Sequence, residues 1–97
     1  MAKSKIKYTD TIGHPNFSNV LKTFSGGSAE SYTPTVDAWV IGNLTAPTGS
    51  SAYVNLQDIY TVAWTSTYCG VCIPVKAGTK ISILTNTSNK PVVYASY

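Results

Sequence analysis

The chain has 97 residues, of which 43% are hydrophobic and only 11% charged, whereas a typical soluble domain carries about 25% charged residues. This composition excludes a disordered chain, and the length fits one compact domain. A domain of this size buries only about 60–65% of its unfolded surface, so a partner subunit would hide useful additional apolar area. No apolar run reaches the roughly 18 residues of a membrane span, and residues 1–7 lack the apolar stretch of a signal peptide, so we expect cytoplasmic synthesis without membrane insertion.

The charged residues are seven lysines against four carboxylates, a formal net charge of +3, and the chain contains no arginine. Arginine is the side chain that reads base edges and clamps phosphates with two parallel hydrogen bonds, so its absence argues against specific nucleic-acid recognition. Lys3, Lys5 and Lys7 lie together at the N-terminus. They indicate either a basic arm that grips an acidic surface or a solvated, frayed tail.

Residues 1–31 show little hydrophobic periodicity and contain turn-forming runs such as Gly26-Gly27-Ser28. We interpret them as an extended N-terminal arm that attaches to another protein, with Phe17 and Phe24 as apolar anchors beside the three N-terminal lysines. Short alternation in residues 5–8 and 20–24 also allows one or two brief strands. A further alternative places one or two helical turns over residues 17–23, capped by Asn16 or Ser18.

From Tyr32 onward, the chain consists of short runs rich in β-branched and aromatic residues, bounded by Pro, Gly, Asn or Asp. A spacing of about eight to twelve residues between such runs is typical of an all-β sandwich or barrel and leaves no room for crossover helices. We therefore predict an antiparallel β-sandwich or jelly roll over residues 32–97. Its six predicted strands lie within residues 36–44, 51–56, 59–65, 70–75, 79–84 and 91–97.

Two of these runs, residues 38–41 and 91–94, are apolar on both faces. A sheet in a two-layer sandwich buries only one face against the core, so the other face needs a cover. We predict that another copy of the chain supplies it; the alternative is that the N-terminal arm does. The predicted oligomer interface comprises Trp39, Ile41, Tyr60, Trp64, Val93 and Tyr94.

The chain is poor in catalytic groups, because it holds a single histidine, His14, and four carboxylates at positions that give no reason to pair. Serine triads, Cys–His dyads and metal sites all require more such groups to converge. We predict no enzymatic activity, no cofactor and no metal. Cys69 and Cys72 would have α-carbons ~10 Å apart in an extended strand, which favours free thiols over a disulfide or a metal site.

The remaining candidates for a binding function are aromatic side chains. Exposed Tyr and Trp rings stack on sugars and also anchor protein interfaces. Tyr53 and Tyr68 are the predicted ligand contacts, and Trp64 is a further candidate for stacking on a saccharide.

Three segments of the chain together resemble a known module. They are residues 32–42 (Tyr-Thr-Pro-Thr-Val-Asp-Ala-Trp-Val-Ile-Gly), residues 51–56, and the turn Pro74-Val75-Lys76-Ala77-Gly78 between two predicted strands. With a last strand that ends in Tyr97, they resemble the trimeric β-sandwich head domains, of the tumour-necrosis-factor jelly-roll type, of bacteriophage fibre and minor structural proteins. The resemblance covers residues 32–97. Thr79 replaces the acidic residue usual after that glycine, and we expect no long fibre shaft before the head.

This resemblance implies a homotrimer in the virion, made in the bacterial cytoplasm. The implied function is that of a small head-fibre, decoration or fibre-tip protein, attached to a capsid or tail protein through residues 1–31. The loops near residues 45–51, 65–70 and 85–89 would face outward. The alternative is a lectin-like receptor-binding module that takes a host surface glycan.

Overall fold

The computed structural model describes residues 12–47, 51–57, 60–64 (backbone only) and 69–97, and this part of the chain contains strands and no helix. Each of the six predicted strands is confirmed, and two further strands precede them. The eight strands are β1 (Pro15–Thr23), β2 (Glu30–Tyr32), β3 (Ala38–Leu44), β4 (Ala52–Leu56), β5 (Tyr60–Trp64), β6 (Cys69–Val75), β7 (Ile81–Leu84) and β8 (Val92–Ser96).

The strands form two four-stranded antiparallel sheets. Sheet A has the order β1-β8-β3-β6, and sheet B has the order β2-β7-β4-β5. The chain therefore passes repeatedly between the two sheets, and its first and last strands lie side by side in sheet A. Eight strands arranged in this way form a jelly roll, so the predicted fold class is confirmed.

The core lies between the sheets and follows the two-residue period of the strands. Alternate side chains are buried along β3, β4 and β7, whereas their neighbours in sequence are half-buried or exposed. This is the pattern expected of strands that bury one face. The fully buried apolar side chains of these strands are Ala38, Val40, Leu44, Ala52, Val54, Leu56, Ile81 and Ile83.

Residues 15–31, which the sequence assigned to an arm, belong to the sandwich. The strand β1 pairs with β8, and β2 pairs with β7, so the predicted boundary after residue 31 falls inside β2. Phe24 is fully buried in the core, where no partner protein can contact its ring. The arm assignment and the helical alternative are therefore wrong for these residues, while residues 1–11, with Lys3, Lys5 and Lys7, lie outside the described part.

The connection from β1 to β2 is held by the carboxylate of Glu30. Its oxygens accept hydrogen bonds from the backbone N–H groups of Ser25 (3.1 Å) and Gly26 (2.8 Å). The ammonium of Lys90 donates to the Ser25 carbonyl at 3.1 Å. Gly26 has a φ of 81° and its α-carbon lies against the carbonyl of Asn86, so a side chain fits poorly there. These contacts fix the point at which the chain crosses from sheet A to sheet B.

Candidate functional site: the apolar face of sheet A

The side of sheet A that faces away from the core carries two rows of side chains that run across all four strands. The first row is set by the register of Tyr94, which pairs with Val20 of β1 and with Trp39 of β3, and Trp39 pairs in turn with Pro74 of β6. Cross-strand partners lie on the same face of a sheet. The row therefore places Val20, Tyr94, Trp39 and Pro74 side by side.

The second row lies next to the first and is also largely apolar. Ile41 pairs with Val92 of β8 and with Cys72 of β6, and Val92 pairs in turn with the exposed Thr23 of β1. Phe17 of β1 adds an aromatic ring, because its centroid lies 5.0 Å from that of Tyr94 at an interplanar angle of 74°. We call this surface the apolar face; its members are Phe17, Val20, Trp39, Ile41, Cys72, Pro74, Val92 and Tyr94.

Several large apolar side chains on or beside this face remain open to solvent. Phe17 is 62% exposed and Val20 52% exposed, both on β1. Val36 (47%) precedes β3 and Tyr97 (80%) follows β8, both strands of sheet A. Single exposed apolar residues are common on proteins, but a contiguous group of them marks a surface that binds something.

The outer face of sheet B differs in composition. Ser82 pairs with Ser31 on one side and with Asn55 on the other, so polar groups run across three strands. Tyr53 pairs with Leu84 and is half-buried. The apolar character is therefore a property of one side of the sandwich and does not follow from the fold in general.

The N-terminal part of the described chain borders the apolar face and extends it. The indole N–H of Trp39 donates to the carbonyl of Gly13 at 2.7 Å, and the backbone N–H of Tyr97 donates to the carbonyl of His14 at 2.9 Å. These bonds tie residues 13–14 to one end of the face. Since β1 then joins the same sheet, residues 13–23 add Phe17 and Val20 to the face instead of covering it. The rest of the predicted arm, residues 1–11, lies outside the described part, so the alternative that the arm covers this face stays a prediction for those residues.

Three of the predicted interface residues, Trp39, Ile41 and Tyr94, lie on the apolar face. The prediction that Val93 belongs to the interface is wrong. Its side chain is fully buried on the inner side of β8, because adjacent residues of a strand point to opposite faces and Tyr94 lies on the outer one. Tyr60 and Trp64 lie in β5, in register with Leu56 and Ala52, and their side chains are outside the described part.

The remaining predicted contacts do not come together. Phe17, expected to anchor an arm, lies on the apolar face, and Tyr53, a predicted ligand contact, lies on the opposite side of the sandwich. The other predicted ligand contact, Tyr68, falls outside the described residues. Sequence reasoning missed Val20 and Val92, because their places depend on the pairing of β8 with its neighbours.

The described side chains that could act in catalysis or bind a metal do not cluster. His14 is exposed just before β1, and Cys69 and Cys72 are free, exposed thiols of β6. Within the described ranges, no three His, Cys, Asp or Glu side chains are close enough together to hold a metal ion. The same ranges contain no helix that could span a membrane.

Comparison of the chain with protein-family models, with curated proteins and with solved structures gave no match. The residues and the fold therefore have to indicate the function. A fold alone does not define a function, and the jelly roll is shared by viral capsid, lectin and cupin domains.

Proposed function

We propose that the protein is a structural subunit of a bacteriophage particle, a small decoration, head-fibre or fibre-tip protein that forms a homotrimer. The observation that carries this proposal is the apolar face, which no described residue covers, whereas the outer face of sheet B carries polar residues across three strands. In the proposed trimer, the copies bury this face against one another. The segment resemblance to phage head domains, over residues 32–97, supports the location on a particle.

The exposure of the face sets the expected strength of association. Burying a Val or Phe side chain fully contributes about 1.5–3 kcal/mol. Since Phe17 and Val20 are 62% and 52% exposed, burying the rest of each adds about 1–2 kcal/mol. Association costs at least about 4 kcal/mol in lost translational and rotational freedom, so these two residues alone do not hold subunits together. The half-buried members of both rows must contribute.

One pair of variants tests the assembly. Val20→Lys places a charge on the apolar face, and Ser31→Lys places the same charge on an exposed strand residue of sheet B. Light scattering over a series of concentrations should show trimer formation for the wild type and for Ser31→Lys, and no trimer formation for Val20→Lys. A wild-type protein that stays monomeric, or equal effects of the two lysines, would contradict the proposed use of this face.

Attachment to the particle is assigned to residues 1–11, with Lys3, Lys5 and Lys7, and we propose an acidic capsid or tail protein as the partner. A deletion reaching residue 24 would remove β1 and Phe24, so the informative truncation ends at residue 11. Particles of the phage that encodes the chain should lack the truncated protein, while its melting temperature is unchanged. Normal incorporation of this truncation would rule out anchoring by these lysines.

A lectin-like module is the second candidate, and it rests on Tyr53. Its half-buried ring lies on the polar face of sheet B, one strand from Ser82, a setting in which an aromatic ring and hydroxyl groups are both within reach of a saccharide. A glycan array should then give a signal that Tyr53→Ala abolishes and Val20→Lys preserves. No binding to any glycan leaves the purely structural role.

A further inference from the structure

Within the described residues, β6 has no partner on the side away from β3, and this free edge differs from the edges of β1 and β2 on the other side of the sandwich. Edge strands expose unpaired N–H and C=O groups, and proteins block them with bulges, charges, prolines or short length. On that other side, β1 has shifted register at two points and β2 has three residues. In contrast, β6 pairs with β3 over seven consecutive residues without a shift and has no charged residue. Its one proline, Pro74, lies near the end of the strand and leaves residues 69–73 without any of these blocks.

Pro74 identifies the groups that point off this edge. Proline has no backbone N–H, so in an edge strand its nitrogen faces away from the neighbouring strand. Residues of an antiparallel strand alternate in the side to which they direct their N–H and C=O groups. Gly70 and Cys72 have the same parity as Pro74 and therefore direct their backbone groups away from β3. The part of β6 that can accept another strand is centred on residues 70–72.

We infer that β6 pairs, antiparallel, with β6 of a second copy about a two-fold axis at Val71. In this register, the N–H and C=O groups of Gly70 meet those of Cys72 from the other copy, and the same pairs recur across the axis. A two-fold axis at Cys72 would instead place Gly70 of one copy opposite Pro74 of the other, and Pro74 has no backbone N–H to donate. The Val71 register is the one that uses each outward donor of residues 70 and 72.

Charge favours a second copy as the occupant of this edge. Each chain has a net charge of +3, so identical copies meet most easily where no lysine lies. The nearest described lysine, Lys76, follows the end of β6. In the antiparallel pair, the two Lys76 residues would be about 34 Å apart along the strands, well beyond the ~10 Å over which salt leaves charges unscreened.

This contact uses the backbone edge of β6, whereas the apolar face uses side chains, among them those of Cys72 and Pro74 on the same strand. Pairing of β6 with β6 is two-fold symmetric, whereas the interface of a trimer is not. The inference does not depend on the proposed function, and the two contacts together would link trimers to one another. Val20 lies on β1, at the opposite edge of sheet A, so Val20→Lys disrupts the apolar face without altering β6 and allows a separate test.

The two cysteines of β6 report on the inferred register. In that register, the two Cys72 α-carbons are diagonal neighbours about 8 Å apart, whereas the two Cys69 α-carbons are about 14 Å apart along the strands. Two variants, each with one remaining thiol, are therefore matched: Cys69→Ser keeps Cys72, and Cys72→Ser keeps Cys69. Both also carry Val20→Lys, which prevents burial or cross-linking of Cys72 in an assembly through the apolar face. A short bis-maleimide should cross-link the first to a dimer and leave the second as the 10.3 kDa monomer. Labelling by a monofunctional maleimide, at similar rates in both, shows that both thiols are accessible.

Equal cross-linking of both variants, or of neither, would overturn the inference. A second measurement uses the double variant Val20→Lys with Cys72→Pro, which removes the outward N–H of residue 72, and Val20→Lys with Cys72→Ser as its control. In sedimentation velocity, the serine form should retain a dimer and the proline form should lose it, with both forms folded by circular dichroism. A persistent dimer in the proline form, or none in the serine form, would also refute edge pairing.

Discussion

Phe24 provides the sharpest test of how the N-terminal third is built, because the sequence indicates an exposed anchor and the fold places its ring in the core. The ring is fully buried, and Phe→Ala at such a site costs about 3–5 kcal/mol. A domain of 97 residues has a total stability of about 5–15 kcal/mol. With a urea dependence of about 1.5 kcal/mol per molar, Phe24→Ala should lower the unfolding midpoint by about 2–3 M.

Phe17→Ala is the matched control, because the same substitution is made on the same segment at a 62% exposed ring. This variant loses the edge-to-face contact with Tyr94, which contributes about 0.5–1.5 kcal/mol to stability. The urea midpoint of unfolding should therefore fall by at most about 1 M. Urea unfolding followed by tryptophan fluorescence at low protein concentration, where assembly adds no stability, measures both. Midpoint shifts of equal size would refute the core position of Phe24.

Three further predictions concern contacts between loops and strands. The buried hydroxyl of Thr85 accepts a hydrogen bond from the Thr45 N–H (2.9 Å) and donates one to the Thr45 carbonyl (3.2 Å). Thr85→Val should lower the free energy of unfolding, measured in urea, by about 1–3 kcal/mol, whereas Thr85→Ser, which keeps the hydroxyl, should retain most of that stability. Gly26→Ala should lower the melting temperature of the protein more than Gly78→Ala. Both glycines have a positive φ (81° and 84°), but only at Gly26 would the added methyl group meet backbone, the carbonyl of Asn86. Equal melting temperatures of the two variants would contradict this. Trp39→Phe removes the indole bond to residue 13 and should speed amide exchange at the start of β1, while unchanged exchange would argue against that tether.

The six strands β3–β8 could be predicted because each is a short run rich in β-branched and aromatic residues between turn residues. The strands β1 and β2 were harder to predict, for two physical reasons. Register shifts between Pro15 and Val20, and again before Lys22, break the two-residue period of β1. The strand β2 has three residues, too few to show a period. Both are recognisable only once β8 and β7 lie beside them.

The apolar face was predictable in part. Trp39 and Ile41 belong to a run of four consecutive apolar residues, 38–41, which indicates that the outer side of this strand needs a cover. Val92 and Val93 are adjacent and equally apolar, so the sequence does not say which faces the core, and a change of one residue in register exchanges them. The pairing of Val93 with the buried Val40 decides the question.

The central claim is that the apolar face of sheet A is buried between subunits. Hydroxyl-radical footprinting read by mass spectrometry measures this directly, at protein concentrations below and above the onset of association. We expect oxidation of Phe17 and Tyr94 to fall as the protein assembles, while oxidation of Tyr53 on sheet B stays constant. Unchanged oxidation of Phe17 and Tyr94 in an assembled sample would show that the subunits meet elsewhere and would contradict the claim.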